Sequence, residues 1–122
     1  MIRIKRVYED AARDDGRRIL IERLWPRGMK KEALVAEAWM KDVAPTTELR
    51  RWFNHQPERW ERFRERYAAE LAANPEAVAP LRALARRGTL TLLYSARDED
   101  HNSAVVLRDF LRQPAARGRR LR

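Results

Sequence analysis

The chain contains no cysteine, which excludes disulfides, thiolate metal sites and cysteine nucleophiles. Histidine is nearly as scarce: His55 and His101 are too few for a histidine-rich zinc site, and no metal site is expected. Long apolar runs are missing, and none approaches the roughly 18 residues of a membrane helix. The opening MIRIKRVYED lacks a signal peptide's apolar core, so a cytoplasmic location with no membrane partner is expected. The phosphate-loop patterns G-x-G-x-x-G and G-x-x-x-x-G-K-[ST] are absent, and no cofactor is implied. The G-x-S-x-G elbow of serine hydrolases is missing as well.

What is present suits a globular chain: 122 residues, 44% hydrophobic and 37% charged, enough for one domain around one core. The net charge of +9 raises the question of nucleic acid, but its distribution weakens that reading. The closing RQPAARGRRLR holds five arginines and no acid; without them the 27 basic residues fall to 22, against 18 acidic ones. Residues 1–112 are read as a single domain and 113–122 as a basic, mobile tail, a solubilising end before a phosphate clamp.

Local patterns divide the domain. IRIKRVY (Ile2–Tyr8) alternates apolar and basic residues, as a strand does. A second strand is expected near Arg18–Arg23, where Ile19, Leu20 and Ile21 suggest burial on both faces, as in a parallel sheet. Pro26 and Gly28 break it. The spacing of Leu34, Val35, Ala38 and Trp39 predicts a helix. Thr46 is a candidate N-cap for a helix carrying Leu49, Trp52 and Phe53. QPERWERFRERYAAELAA predicts the clearest helix, with Trp60, Phe63, Tyr67 and Leu71 in one stripe and a solvated charged face opposite. Asn74, Pro75 and Gly88 punctuate a further helix that must accommodate Pro80 or kink there. TLTLLY predicts a third strand. EDHNSAVVLRDFLRQ predicts a last helix, packed through Ala104, Val105, Leu107, Phe110 and Leu111, with Asp98 as its cap. A long helical excursion that returns to an apolar strand joins parallel strands. The expected fold is therefore α/β: a small, largely parallel sheet of three or four strands with flanking helices.

Ligands of such sheets bind beyond the carboxyl ends of the strands. Two segments qualify, ERLWPRG and SARDEDHN. In the first, Arg23 and Arg27 suit phosphate or carboxylate, and Trp25 suits a planar ligand. Equally, Trp25 can be core and the arginines can pair with Glu22. In the second, Asp98, Glu99 and Asp100 are explained by helix-start chemistry. His101 and Asn102 are less well explained by capping. Histidine serves as acid or base near neutral pH, and Asn102 can orient it. His55 lies in a helix-to-helix turn, where histidine caps or packs.

Three separated segments, ILIERLWPRGMKKE, AWMKDVAPTTELRRWFNHQPERWERFRERYAAEL and TLTLLYSARDEDHNSAVVLRDFL, occur in an order that resembles the YeaO-like family of small bacterial proteins. That family carries domain of unknown function number 488. The resemblance runs from Ile2 to about Leu111 and implies an α/β fold with no established reaction. Recurrent family positions match Arg23, Trp25, Pro26, Arg27 and Gly28 in the first segment. In the middle they match Trp39, Asp42, Pro45, Leu49, Arg50, Trp52, Phe53, His55, Trp60, Phe63, Tyr67 and Leu71. Near the end they match Leu93, Tyr94, Asp98, His101 and Asn102. The family often has lysine at Arg97, so Schiff-base chemistry there is ruled out for this chain. It often has alanine at Ser95, which argues against a serine nucleophile.

The leading expectation is a domain that binds, and in one version acts on, an anionic, phosphorylated or nucleotide-like small molecule. Arg23 and Arg27 would hold the anion, Trp25 or Tyr94 would stack, Asp98 would stand beside the ligand, and His101 with Asn102 would carry any catalysis. One alternative is a nucleic-acid-binding accessory protein that uses its tail and the arginines from Arg59 to Arg66. Another is a partner-binding module whose polar motifs only secure turns. The oligomeric state is not readable from the sequence.

Overall fold

The N-terminal alternating segment and the two apolar runs become strands, and a fourth, shorter strand joins them. A computed structural model describes residues 1–114; the basic segment beyond Pro114 lies outside the described residues. Strands β1 (Ile2–Arg6), β2 (Arg17–Leu20), β3 (Ala38–Trp39) and β4 (Leu90–Tyr94) form one sheet in the order β1–β4–β2–β3, and every pair is parallel. The helices are α1 (Thr47–Phe53), α2 (Trp60–Ala72), α3 (Pro75–Arg87) and α4 (Ser103–Arg112). The fold is α/β, with β4 at the centre and all five of its residues buried. No helix among the described residues is long and apolar enough to cross a membrane.

Strand alternation gives the sheet two different faces. Ile2, Ile19, Ile21, Leu90, Leu92 and Tyr94 form one face, and the buried residues of all four helices pack against it. Phe63, Tyr67 and Leu71 are the inward stripe of α2. Phe63 stacks on Phe53 of α1 with ring centroids 4.3 Å apart. The Tyr67 hydroxyl donates to the Val43 carbonyl at 2.6 Å, so this buried ring keeps its polar end satisfied. The opposite face carries Leu20 and Leu93, covered by the loop residues Met29, Leu34 and Ala36. The flanking helices thus lie on one side, and loops close the other.

The loop-covered face also holds a charged cluster. Asp15 is fully buried. Its carboxylate accepts from the Ala12 N–H at 2.9 Å and from Lys5 Nζ, 3.2 Å from each oxygen, and it pairs with Arg18. Arg18 reaches on to the Val35 carbonyl at 2.6 Å, and the Asp15 carbonyl accepts from the Thr91 hydroxyl at 2.6 Å. Burial pushes the Asp15 carboxyl up, but its backbone, Lys5 and Arg18 donors outweigh burial and hold it below the ordinary 3.8. Gly16 follows with φ of 65°, and a Cβ there would lie 2.3 Å from the Thr89 carbonyl oxygen. Only glycine lets the chain turn here and enter β2 so close to β4.

Three boundaries differ from expectation. The helix predicted through Leu34, Val35, Ala38 and Trp39 does not form. Ala38 and Trp39 are β3, tied to β2 through Glu37 N–H to the Arg18 carbonyl at 2.7 Å and Met40 N–H to the Leu20 carbonyl at 2.8 Å. An available strand edge overrides a weak helical pattern. The second strand ends at Leu20, so Glu22 and Arg23 belong to the turn. The last helix begins at Ser103, and its cap is Asn102, whose side chain accepts from Val105 N–H at 3.0 Å. That start turns Val106 rather than Val105 fully inward. Two expectations hold without change. Thr46 caps α1 by accepting from Leu49 N–H at 3.2 Å, and α3 continues through Pro80.

Asp15→Ala is expected to lower stability by about 3–5 kcal/mol, because it strands Lys5 and Arg18 beside an apolar core; urea unfolding measures this. The folded-state pKa of Asp15 is depressed, so its contribution is present above the unfolded value and is lost as pH falls through the folded one. The gap between wild type and Asp15→Ala should therefore narrow in acid. Gly16→Ala is expected to cost more than about 1 kcal/mol on the same measurement, from strain and the clash with Thr89.

Candidate functional site

The chain leaves β2 towards β3 on one side of the sheet, while β4 leads into α4, which packs back against β1. Between these diverging connections a cleft opens at the carboxyl ends of β2 and β4, the position where parallel sheets take ligands. Its volume is about 650 Å³. One wall is the turn from Ile21 to Arg27, another the segment from Ser95 to Ser103, and a third comes from Arg50, Phe53 and His55 around the end of α1. Helix α1 stops because Asn54 and His55 take left-handed backbone angles, with φ of 46° and 54°, which brings His55 to the rim.

Arg23, Trp25, Arg27, Asp98, His101 and Asn102 all line this cleft; Tyr94 does not. Tyr94 is buried in β4, whereas Tyr8 reaches the rim and donates to the Arg27 carbonyl at 2.7 Å. The lining residues serve in different ways. Arg23 is spent on backbone, donating to the Pro45 carbonyl at 3.1 Å and the Ala44 carbonyl at 3.2 Å. Trp25 is half-exposed; its indole N–H donates to the Met29 carbonyl at 2.6 Å and its ring meets Trp39 edge-on at 5.4 Å. The guanidinium groups of Arg27 and Arg97 are at exposed positions and make no ion pair among the described residues.

Asp98 does not start the helix but builds the turn before it. Its Oδ1 accepts from the N–H groups of Asp100 at 2.9 Å and His101 at 3.0 Å, and its Oδ2 lies 2.9 Å from His101 Nδ1. The backbone donors, foremost that of Asp100, together with His101 hold the Asp98 carboxyl below its ordinary range against a smaller opposing effect of burial. With the proton on Nδ1, the imidazole donates to Asp98 and leaves Nε2 as an acceptor. Trp60 meets the same ring edge-on at 5.0 Å. Asn102 is 3% exposed and is fully accounted for by capping: besides its bond to Val105, its amide donates to the Asp98 carbonyl at 2.9 Å.

Glu22 and Arg50, like Arg97, line the cleft but were not singled out from the sequence as ligand contacts. Glu22 lies at the inner wall, where its Oε2 accepts from Ser95 N–H at 3.2 Å. Burial raises its carboxyl above the ordinary 4.5, although the Ser95 N–H and the positive charge of Arg50 pull the other way. Arg50 presents a buried Nε with no hydrogen-bond partner. An acid directly after the buried Ile19–Ile21 run was the available signal for Glu22. For Arg50 it was the i,i+3 spacing to the inward-facing Phe53. The cleft as a whole places Arg23, Arg27, Arg50 and Arg97 against Glu22 and Asp98, an excess of positive charge. Among the described residues no cluster of metal-ligating side chains occurs.

A family model described as the inactive DUF488-N3 subclade matches residues 1–120. The chain is 47% identical over 111 residues to YeaO, an uncharacterised protein of Escherichia coli K12, covering 91% of this chain and 96% of that one. It is 44% identical over 110 residues to an uncharacterised protein of Mycobacterium bovis, covering 90% and 92%. An uncharacterised protein of Mycobacterium tuberculosis H37Rv matches with the same identity and coverage. No solved structure matches the chain.

The turn at Asp98 makes a measurable claim. Carbon-detected NMR should find the Asp98 carboxyl titrating below 3.8. In His101→Ala it should move only part of the way back, because the two backbone donors remain.

Proposed function

The chain belongs to the YeaO-like DUF488 family, within the subclade described as inactive, and on that footing we propose that its cleft binds an anionic, phosphorylated or nucleotide-like small molecule without transforming it. The observation that carries this reading is the buried, unpartnered Nε of Arg50 in the cleft wall. A buried donor with no acceptor costs on the order of 1–3 kcal/mol, so such groups are rare in folded proteins, and an anion reaching the Arg50 guanidinium would supply the missing acceptor. Arg27 and Arg97, without ion-pair partners among the described residues, add positive charge around the opening, and low-dielectric walls strengthen its pull on an anion. Trp25 offers a held aromatic surface beside them.

Binding is favoured over turnover by how the other polar groups are used. Arg23 and Asn102 are committed to the fold, so neither stands beside the Asp98–His101 pair as the catalytic partner that the sequence offered. The arginines of α2 and of the turn just before it are poor candidates for a nucleic-acid surface. Arg62 and Arg64 face Glu65 and Glu61, while Arg59 and Arg66 stack over Trp52.

Isothermal titration calorimetry with inorganic phosphate, at low ionic strength, tests the proposal. Saturable binding at one site is expected. It should weaken about tenfold or more in Arg50→Met and by a smaller factor, up to about fivefold, in Arg27→Ala. Absence of phosphate binding at millimolar concentration, or binding unchanged in Arg50→Met, would sink the reading.

A further inference from the structure

Glu22 is the one acidic side chain on the inner wall, and its surroundings hold it ready for something. Its backbone carbonyl accepts from the Trp39 indole N–H at 2.5 Å, and its Oε2 accepts from Ser95 N–H. The group is therefore fixed from both ends. Its Oε1 has no hydrogen-bond partner among the described residues and is not sealed from solvent, on a side chain that lines the cleft. Arg50 acts on Glu22 through its charge, yet no ion pair closes between them within 4.0 Å. An ionised carboxylate only accepts hydrogen bonds, and its two oxygens have room for about four. One is filled by the protein.

A fork-shaped acceptor of this kind matches a planar edge with two adjacent N–H groups. Trp25, braced by Met29 and Trp39, supplies a flat apolar surface in the same cleft. Aromatic faces of this kind hold heterocycles by stacking. Arg27 and Arg97, which make no ion pair among the described residues, supply the complement for a phosphate. A volume of about 650 Å³ has room for both ends of one nucleotide.

We propose that Glu22 reads a paired N–H edge on the ligand, so that the cleft takes a guanine-type nucleotide, its base against Glu22 and Trp25 and its phosphate among the arginines. This rests on the anion-binding reading above and adds a specificity determinant to it. The chemistry sets an order of preference. Guanine presents a ring N–H next to an exocyclic amine, and both donate to Glu22. Hypoxanthine keeps only the ring N–H. Adenine turns a ring lone pair towards the carboxylate and is repelled.

The experiment measures calorimetric affinities of inorganic phosphate and of guanosine, inosine and adenosine 5′-monophosphates. Wild type should bind the guanine nucleotide about tenfold or more tightly than the inosine one, with the adenine one weakest. Glu22→Gln replaces one acceptor with a donor; it should bring the guanine-to-inosine ratio close to one while phosphate still binds at least as tightly as in wild type, because the variant removes a negative charge from the cleft. Glu22→Asp keeps the charge but withdraws it, and should keep part of the ratio; thermal melting confirms that both variants are folded. If neither variant folds, the wild-type order decides alone. Phosphate binding with no preference among the three nucleotides overturns the role of Glu22 and spares the anion site. A guanine preference that survives in Glu22→Gln overturns it as well. Failure of phosphate and all three nucleotides to bind removes both proposals together.

Discussion

The buried carboxylate of Asp15 is the contact on which the arrangement of the sheet depends. A strand order in which β4 lies between β1 and β2 requires the first connection to cross over a strand that the chain has not yet made. Asp15 ends that connection and gathers Lys5 from β1 and Arg18 from β2, while its carbonyl takes the Thr91 hydroxyl of β4. Three strands are thereby referred to one residue. The link extends further: Arg18 also holds the Val35 carbonyl, which fixes the far end of the long loop whose near end, from Glu22 to Arg27, walls the cleft. Charges this deep gain little net energy over an apolar packing; what they mark is where Lys5 of β1 and Arg18 of β2 meet at Asp15.

Much of this was legible because local chemistry and global fold agree. Ile19, Leu20 and Ile21 announce a strand buried on both faces. Thr46 and the spacing of Phe63, Tyr67 and Leu71 announce α1 and α2, and TLTLLY announces β4. The misread elements are those in which a distant partner decides. Ala38 and Trp39 are extended only because the edge of β2 is open to them. The start of α4 lies beyond the acids because Asp98 spends its carboxylate on the backbone of the preceding turn, which frees Asn102 to cap. A sequence shows that both residues are able to cap, not which of them the chain reaches in the right geometry.

The site shows the same boundary more sharply. The motif pair RLWPR and SARDEDHN does meet across one cleft, as the rule for parallel sheets implies. Within it, four arginines of identical chemistry have different uses. Arg23 props up the Ala44–Pro45 backbone, Arg50 is walled in with an idle nitrogen, and Arg27 and Arg97 occupy exposed positions. Residue type predicts none of these assignments: Arg23, for one, is held by carbonyls more than twenty positions away.

The two-residue length of β3 has a consequence for how the molecule meets its own copies. A sheet ending in a long, regular strand offers a ladder on which another chain can continue. Here the last rung is Ala38–Trp39, and the chain then turns into a short 3-10 segment at Lys41–Val43. Lys41 folds back over the Trp39 ring, 4.2 Å from its centroid. The open side of the sheet is thus too short to template a further strand, and a cation stands guard over its most adhesive side chain. The β3 border resists the edge-to-edge growth that turns crowded sheets into aggregates.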